Sequence, residues 1–259
     1  MKGLIIIYIF VLFNFLESIS CAPTNTDQDH RPVAYRDADI RKALFQPLNF
    51  WRPERYKWPQ GTLPYVLSPL YTSAERNIVL NAIAEWEAKT CVRFIPRQPH
   101  HVDYLEITPD DSTSSYCYSY VGRQGGRQLM KMFGECLRHA AMIHELGHAI
   151  GFNHEHQRPD RDDFILVHLD NINPVHLDNI NPAYHYAFDK YSSDQVDNLG
   201  TPYDYTSVMQ YPYYAFSDGD PNRPAMTLPD GSIDSIRYEA QQLSSMDIYK
   251  VNLYYNNCN

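Results

Sequence analysis

The sequence predicts an α+β domain in which regular structure is concentrated ahead of Phe152. Three observations lead there. A capped amphipathic helix is followed by several short strand-like runs. A second helix carries clustered histidines. Beyond Phe152 the chain is rich in Asn, Asp, Pro and Tyr, with one further helical stretch near its end.

The 259 residues begin with Lys2, an almost unbroken apolar run from Leu4 to Phe13, and small residues at Ser18 and Ser20. This is the pattern of a secretory signal peptide over residues 1–20. The run is short for a membrane anchor, which takes about 20 apolar residues. The chain is therefore expected to be secreted and extracellular. Residues 21–55 are polar, charged and proline-containing without periodicity. They read as a short pro-segment ending somewhere in 42–55, with Arg41-Lys42, Arg52 and Arg55 as basic processing points. The folded domain is expected over residues 56–259.

Residues 63–67 read as the first strand. Thr72 and Glu75 then form a capping box, and Ile78, Val79, Ala82, Ile83 and Trp86 share one helical face. Strands are expected at 92–95, 104–108, 118–121 and 129–132, and a helix at 140–150. The last helix starts at Ser244 or Ser245 and runs towards Tyr255. Between them, the octapeptide at residues 167–174 recurs at once as residues 175–182. One tandem copy is too short for a repeat architecture. It reads as a duplication in an exposed loop, or as an error in the gene model.

The formal net charge of -9 argues against a nucleic-acid backbone or an anionic membrane surface as partner. A monomer is expected. Of five cysteines, Cys21 sits at the expected leader cut. Cys91, Cys117, Cys136 and Cys258 remain, an even number in an oxidising compartment, which favours two disulfides with three possible pairings.

The strongest signal is His144-Glu145-Leu146-Gly147-His148, extended by Gly151 and His154. Helix positions i and i+4 lie about 40° apart and about 6 Å along the axis, so two imidazoles at that spacing face one metal ion. Glu145 lies beside that face and is placed to act on water as a base. His154 cannot join them if the helix continues, because six further residues carry it about 240° around. Gly151 is the residue to end the helix, after which the chain doubles back. Three histidines on Zn²⁺ leave a position open, which is the catalytic arrangement and not the closed structural one.

These residues, continued by Glu155-His156-Gln157-Arg158-Pro159-Asp160-Arg161-Asp162 and by Ser207-Val208-Met209-Gln210-Tyr211, resemble the astacin-family zinc metalloproteases of the metzincin clan. The resemblance runs from Trp58 to Cys258. It implies a two-lobed fold, with a twisted sheet and two helices in the upper lobe and a mostly irregular lower lobe ending in a helix. It implies a secreted endopeptidase that uses one Zn²⁺, with protein or peptide substrates bound as an added strand along the edge around residues 117–121. It implies zinc ligands His144, His148 and His154, general base Glu145, and a Met-turn at Met209. Tyr211 would be a labile extra zinc ligand that swings away to hydrogen-bond the transition state, and Glu155 would contact the ammonium of a newly cut N-terminus. The implied disulfides are Cys91–Cys258 and Cys117–Cys136. Family pro-segments often carry F-x-G-D, whose aspartate blocks the zinc. No such motif is present here, and Asp39 in Ala38-Asp39-Ile40 is the nearest candidate for the switch. Two rival readings are a catalytically silent homologue and a structural zinc domain, which would need a fourth firm protein ligand.

Overall fold

The structure is a computed structural model. It describes residues 50, 54–109, 117–172, 185–195, 197–217, 220, 222–236 and 238–258. The leader, Cys21, Asp39 and the second copy of the octapeptide lie outside them.

β1 (Thr62–Leu67) leads into α1 (Ser73–Lys89), whose Thr72–Glu75 capping box is formed in both directions. β2 (Arg93–Pro96) and β3 (Tyr104–Thr108) follow. β4 (Tyr118–Ser119) and β5 (Arg127–Lys131) complete a five-stranded sheet in the order β2-β1-β3-β5-β4. Its pairings are parallel except for β4, which runs antiparallel to β5 on the edge. Alternate residues Leu63, Leu105, Ile107 and Met130 are fully buried, the period of two that a strand imposes. α1 buries Val79, Ala82, Ile83 and Trp86 and packs on α2 (His139–Ile150), where the Trp86 indole donates to Ile143 O at 3.1 Å. Every residue of α2 from Ala140 onward is buried. A helix enclosed all round is a core element, and this one carries the histidines.

Beyond Phe152 come short 3₁₀ turns and one small antiparallel ladder of β6 (Leu166–Val167) and β7 (Met226–Thr227). Sequence periodicity does not reveal this pair, because two residues are too few to show a period. α3 (Ser245–Tyr254) closes the fold with a second capping box, Ser244 to Asp247. Two disulfides, Cys91–Cys258 and Cys117–Cys136, tie the chain end to the start of β2 and the edge strand to the segment before α2. The packed body also reaches further back than residue 56. Phe50 is 2% exposed, with its ring centroid 4.3 Å from that of Phe152 and 4.2 Å from that of Tyr254. No helix among the described residues is long and apolar enough to cross a membrane.

Candidate metal centre

α2 must stop after Ile150 for a third histidine to return. Gly151 stops it with φ 131°, a conformation that favours glycine. A β-carbon there would meet the Tyr254 ring at 3.3 Å. The last helical carbonyls, which an α-helix leaves without internal partners, are all taken. Gly147 O accepts from the Gly151 and Phe152 amides, and His148 O accepts from Gly122 N at 2.8 Å. Ala149 O accepts from the Trp58 indole at 2.8 Å, and Ile150 O from the Tyr255 hydroxyl at 2.7 Å. The turn is thus held by the start of the domain, the edge segment and α3 together.

The turn brings His144, His148 and His154 into one buried group whose ring nitrogens all lie within 4.8 Å of one another. The Nε2 atom of His154 is 3.2 Å from that of His148 and 3.3 Å from that of His144. Nitrogens bound tetrahedrally to zinc at about 2.0–2.1 Å sit about 3.3–3.4 Å apart, so the spacing suits one zinc ion. Each Nδ1 faces an oxygen: Val208 O for His144 at 2.6 Å, Phe152 O for His148 at 2.8 Å, and Gln157 Oε1 for His154 at 3.0 Å. Donating from Nδ1 fixes the tautomer that leaves Nε2 free to bind metal. Burial, with the neighbouring imidazoles adding to it, holds His144 and His154 well below the ordinary imidazole pKa. They are neutral, as metal binding requires.

The family model for astacin, a peptidase family, matches residues 51–256. The chain belongs to the astacin family. It is 38% identical over 208 residues to zinc metalloproteinase nas-13 of Caenorhabditis elegans, covering 80% of this chain and 43% of that protein. It is also 38% identical over 226 residues to nas-14 of the same organism, covering 86% of this chain and 42% of that one. The chain therefore spans about two fifths of the length of these curated relatives. Among solved structures it resembles high choriolytic enzyme 1, a hatching enzyme zinc-protease from Oryzias latipes. That match has 33% identity and a TM-score of 0.64, over 80% of this chain and 94% of that one.

The turn at Met209, which the resemblance implies is the Met-turn, packs directly against the histidine helix. A β-carbon on Gly147 would lie 2.8 Å from the Met209 sulfur, so α2 approaches the turn at a position without a side chain. The turn is fixed from α3. Asp247, fully buried, accepts from the Ser207 hydroxyl at 2.6 Å and from Val208 N at 3.0 Å, and Ser207 Oγ accepts from Met209 N. Asp247 thus steadies the carbonyl that orients His144. Sequence reading placed Ser244 or Ser245 at the start of this helix and gave Asp247 no role. Gln157, at i+3 from His154, stands in the stretch that carries the resemblance, but its role as the acceptor for His154 was not read from it.

Tyr211 lies where the Met-turn leaves the site, its ring centroid 4.3 Å from that of His154 and 4.2 Å from that of His156. Glu145 is buried on α2 between the two helical ligands. Glu155 is buried as well, and its carboxylate accepts from Lys250 Nζ at 2.7 Å on both oxygens, from Arg158 at 3.0 Å and from Asp204 N at 2.9 Å. The side-chain ammonium of Lys250, on α3, is thus a direct ion-pair partner of Glu155.

Proposed function

We propose that this chain is a secreted zinc metalloendopeptidase that hydrolyses peptide bonds in proteins, is made as a zymogen and acts as a monomer. The observation that carries the reading is the buried triad of Nδ1-anchored imidazoles with Glu145 on the helix that supplies two of them. Zinc, when bound, supplies a Lewis acid that polarises the scissile carbonyl and makes water acidic enough to lose a proton near neutral pH. Glu145 takes that proton and returns it to the leaving amine. Tyr211 donates from its hydroxyl to the oxyanion as charge develops there. β4, on the sheet edge, pairs with an extended substrate segment as an added antiparallel strand. Among the described residues no fourth His, Cys, Asp or Glu joins the triad, which favours the open, catalytic arrangement over a structural zinc site.

Asp39 is proposed to block the site until the segment before the domain is cut. The support is its position ahead of the domain in an N-terminal stretch that otherwise lacks the family's inhibitory motif. The test is hydrolysis of internally quenched peptides by the secreted protein before and after limited proteolysis. Activity should appear on trimming, vanish with a zinc chelator and return with added zinc. A trimmed, zinc-loaded protein that cleaves no member of a broad peptide library would refute the peptidase reading. An uncut protein as active as the trimmed one would refute the zymogen.

A further inference from the structure

We infer that Phe50 is a positioning residue for the metal centre, bracing the Phe152 backbone whose carbonyl orients His148. This rests on the proposed function in one respect, that His148 binds zinc.

The chain of contacts is short. His148 Nδ1 donates to Phe152 O at 2.8 Å, so the plane of the imidazole depends on where that carbonyl sits. Phe152 is the first residue after the Gly151 turn, and its own amide is committed to Gly147 O at 3.0 Å. On its other side Phe152 pairs with Phe50 in a single antiparallel β-bridge, and the two rings pack at 4.3 Å. The Phe50 ring is also 4.2 Å from Tyr254 on α3, and its Cδ1 lies 3.7 Å from the place a Gly151 β-carbon would take. Phe50 therefore closes an aromatic box over the very turn that brings His154 back to the site.

The acceptors of the other two ligands have different supports. Val208 is held by Asp247 from α3, and Gln157 also accepts from the Tyr191 hydroxyl at 2.6 Å. Among the described residues, only His148 leans on residue 50 through its acceptor. A cut at Arg52 or Arg55 would separate Phe50 from the rest of the chain, to which, among the described residues, it is tied by its bridge to Phe152 and by ring contacts. The segment carrying Phe50 thus belongs to the working enzyme, and processing at those two sites would loosen its zinc.

The experiment compares the full chain with its Phe50→Ala and Phe50→Leu variants. Two quantities are read: the zinc dissociation constant, by competition with a calibrated chelator, and the thermal midpoint of the metal-free protein. Loss of an outer partner of a zinc ligand typically weakens metal binding about 10- to 100-fold. Because Phe50 acts one step further out, Phe50→Ala should weaken zinc about 10-fold. Phe50→Leu, which refills the box, should stay within about threefold of wild type. If Phe50→Ala is not secreted, Phe50→Val is read in its place with the same expectation. A variant with a lowered metal-free midpoint but wild-type zinc affinity would make Phe50 ordinary core packing and overturn the inference alone. Absence of stoichiometric zinc in the wild-type chain would overturn the proposed function and this inference with it.

Discussion

The Met209 sulfur stands 2.8 Å from where Gly147 would carry a β-carbon, so the histidine helix meets the Met-turn at the one type of residue that leaves room for it. Gly147→Ala gains about 1 kcal/mol of helix propensity but overpacks a buried contact, which typically costs about 1–3 kcal/mol. A net loss of stability is expected in urea unfolding. The loss should shrink in a Met209→Ala background, where the obstructing sulfur is gone. Equal losses in both backgrounds would show that the contact is not the cause.

Asp247 gives a pH signature. Burial raises its carboxyl from 3.8 to about 6, with the Asp204 charge adding to the rise against hydrogen bonds from Ser207, Val208 and Ser244. The folded state therefore holds this proton more tightly than the unfolded one. The resulting stabilisation is full below about pH 4 and is lost as the pH rises through 6. Two pKa units amount to about 3 kcal/mol. The stability of wild type minus that of Asp247→Asn, measured on the metal-free protein, should fall by up to about that amount between pH 4 and pH 6.5. It should then level off. A difference that is flat across the range would mean that Asp247 stays ionised in the fold.

The Glu155–Lys250 pair is buried on both sides. Removing one partner of such a pair typically costs about 3–5 kcal/mol, because the other charge is stranded. Lys250→Met should show a loss of that order by thermal unfolding. Glu155→Gln in the same chain should restore part of it. Arg158 and the Asp204 amide, which also bind Glu155, limit the recovery. A Lys250→Met protein as stable as wild type would show that Arg158 alone balances the carboxylate.

How much of this was legible in sequence depended on the range of each signal. The first helix showed itself through local devices, the capping box at Thr72 and the apolar face ending at Trp86. The metal group was readable because two ligands share a helix and a glycine marks the reversal to the third. What stayed hidden was held over long range. Asp247 reaches the Met-turn through tertiary packing, Lys250 reaches Glu155 from the far end of the chain, and Phe50 packs on Phe152 from a stretch without periodicity. None of these leaves a spacing to detect.

Tyr211 separates binding from chemistry. A donor that acts only on the developing oxyanion should, when lost in Tyr211→Phe, lower kcat with little change in KM. The cost for such a donor is typically about 2.7–4 kcal/mol of barrier. Steady-state kinetics with zinc content measured in parallel decides the matter. Loss of zinc would make Tyr211 a metal ligand, and an unchanged kcat would make it packing against His154 and His156.

The central claim is that Glu145 is the base of a zinc site built by His144, His148 and His154. The most direct test is peptide hydrolysis by trimmed Glu145→Gln protein whose zinc content has been measured. The expected result is one zinc per chain, as in wild type, with hydrolysis reduced by several orders of magnitude. A zinc-replete Glu145→Gln protein that cleaves peptides at a rate near wild type would contradict the claim.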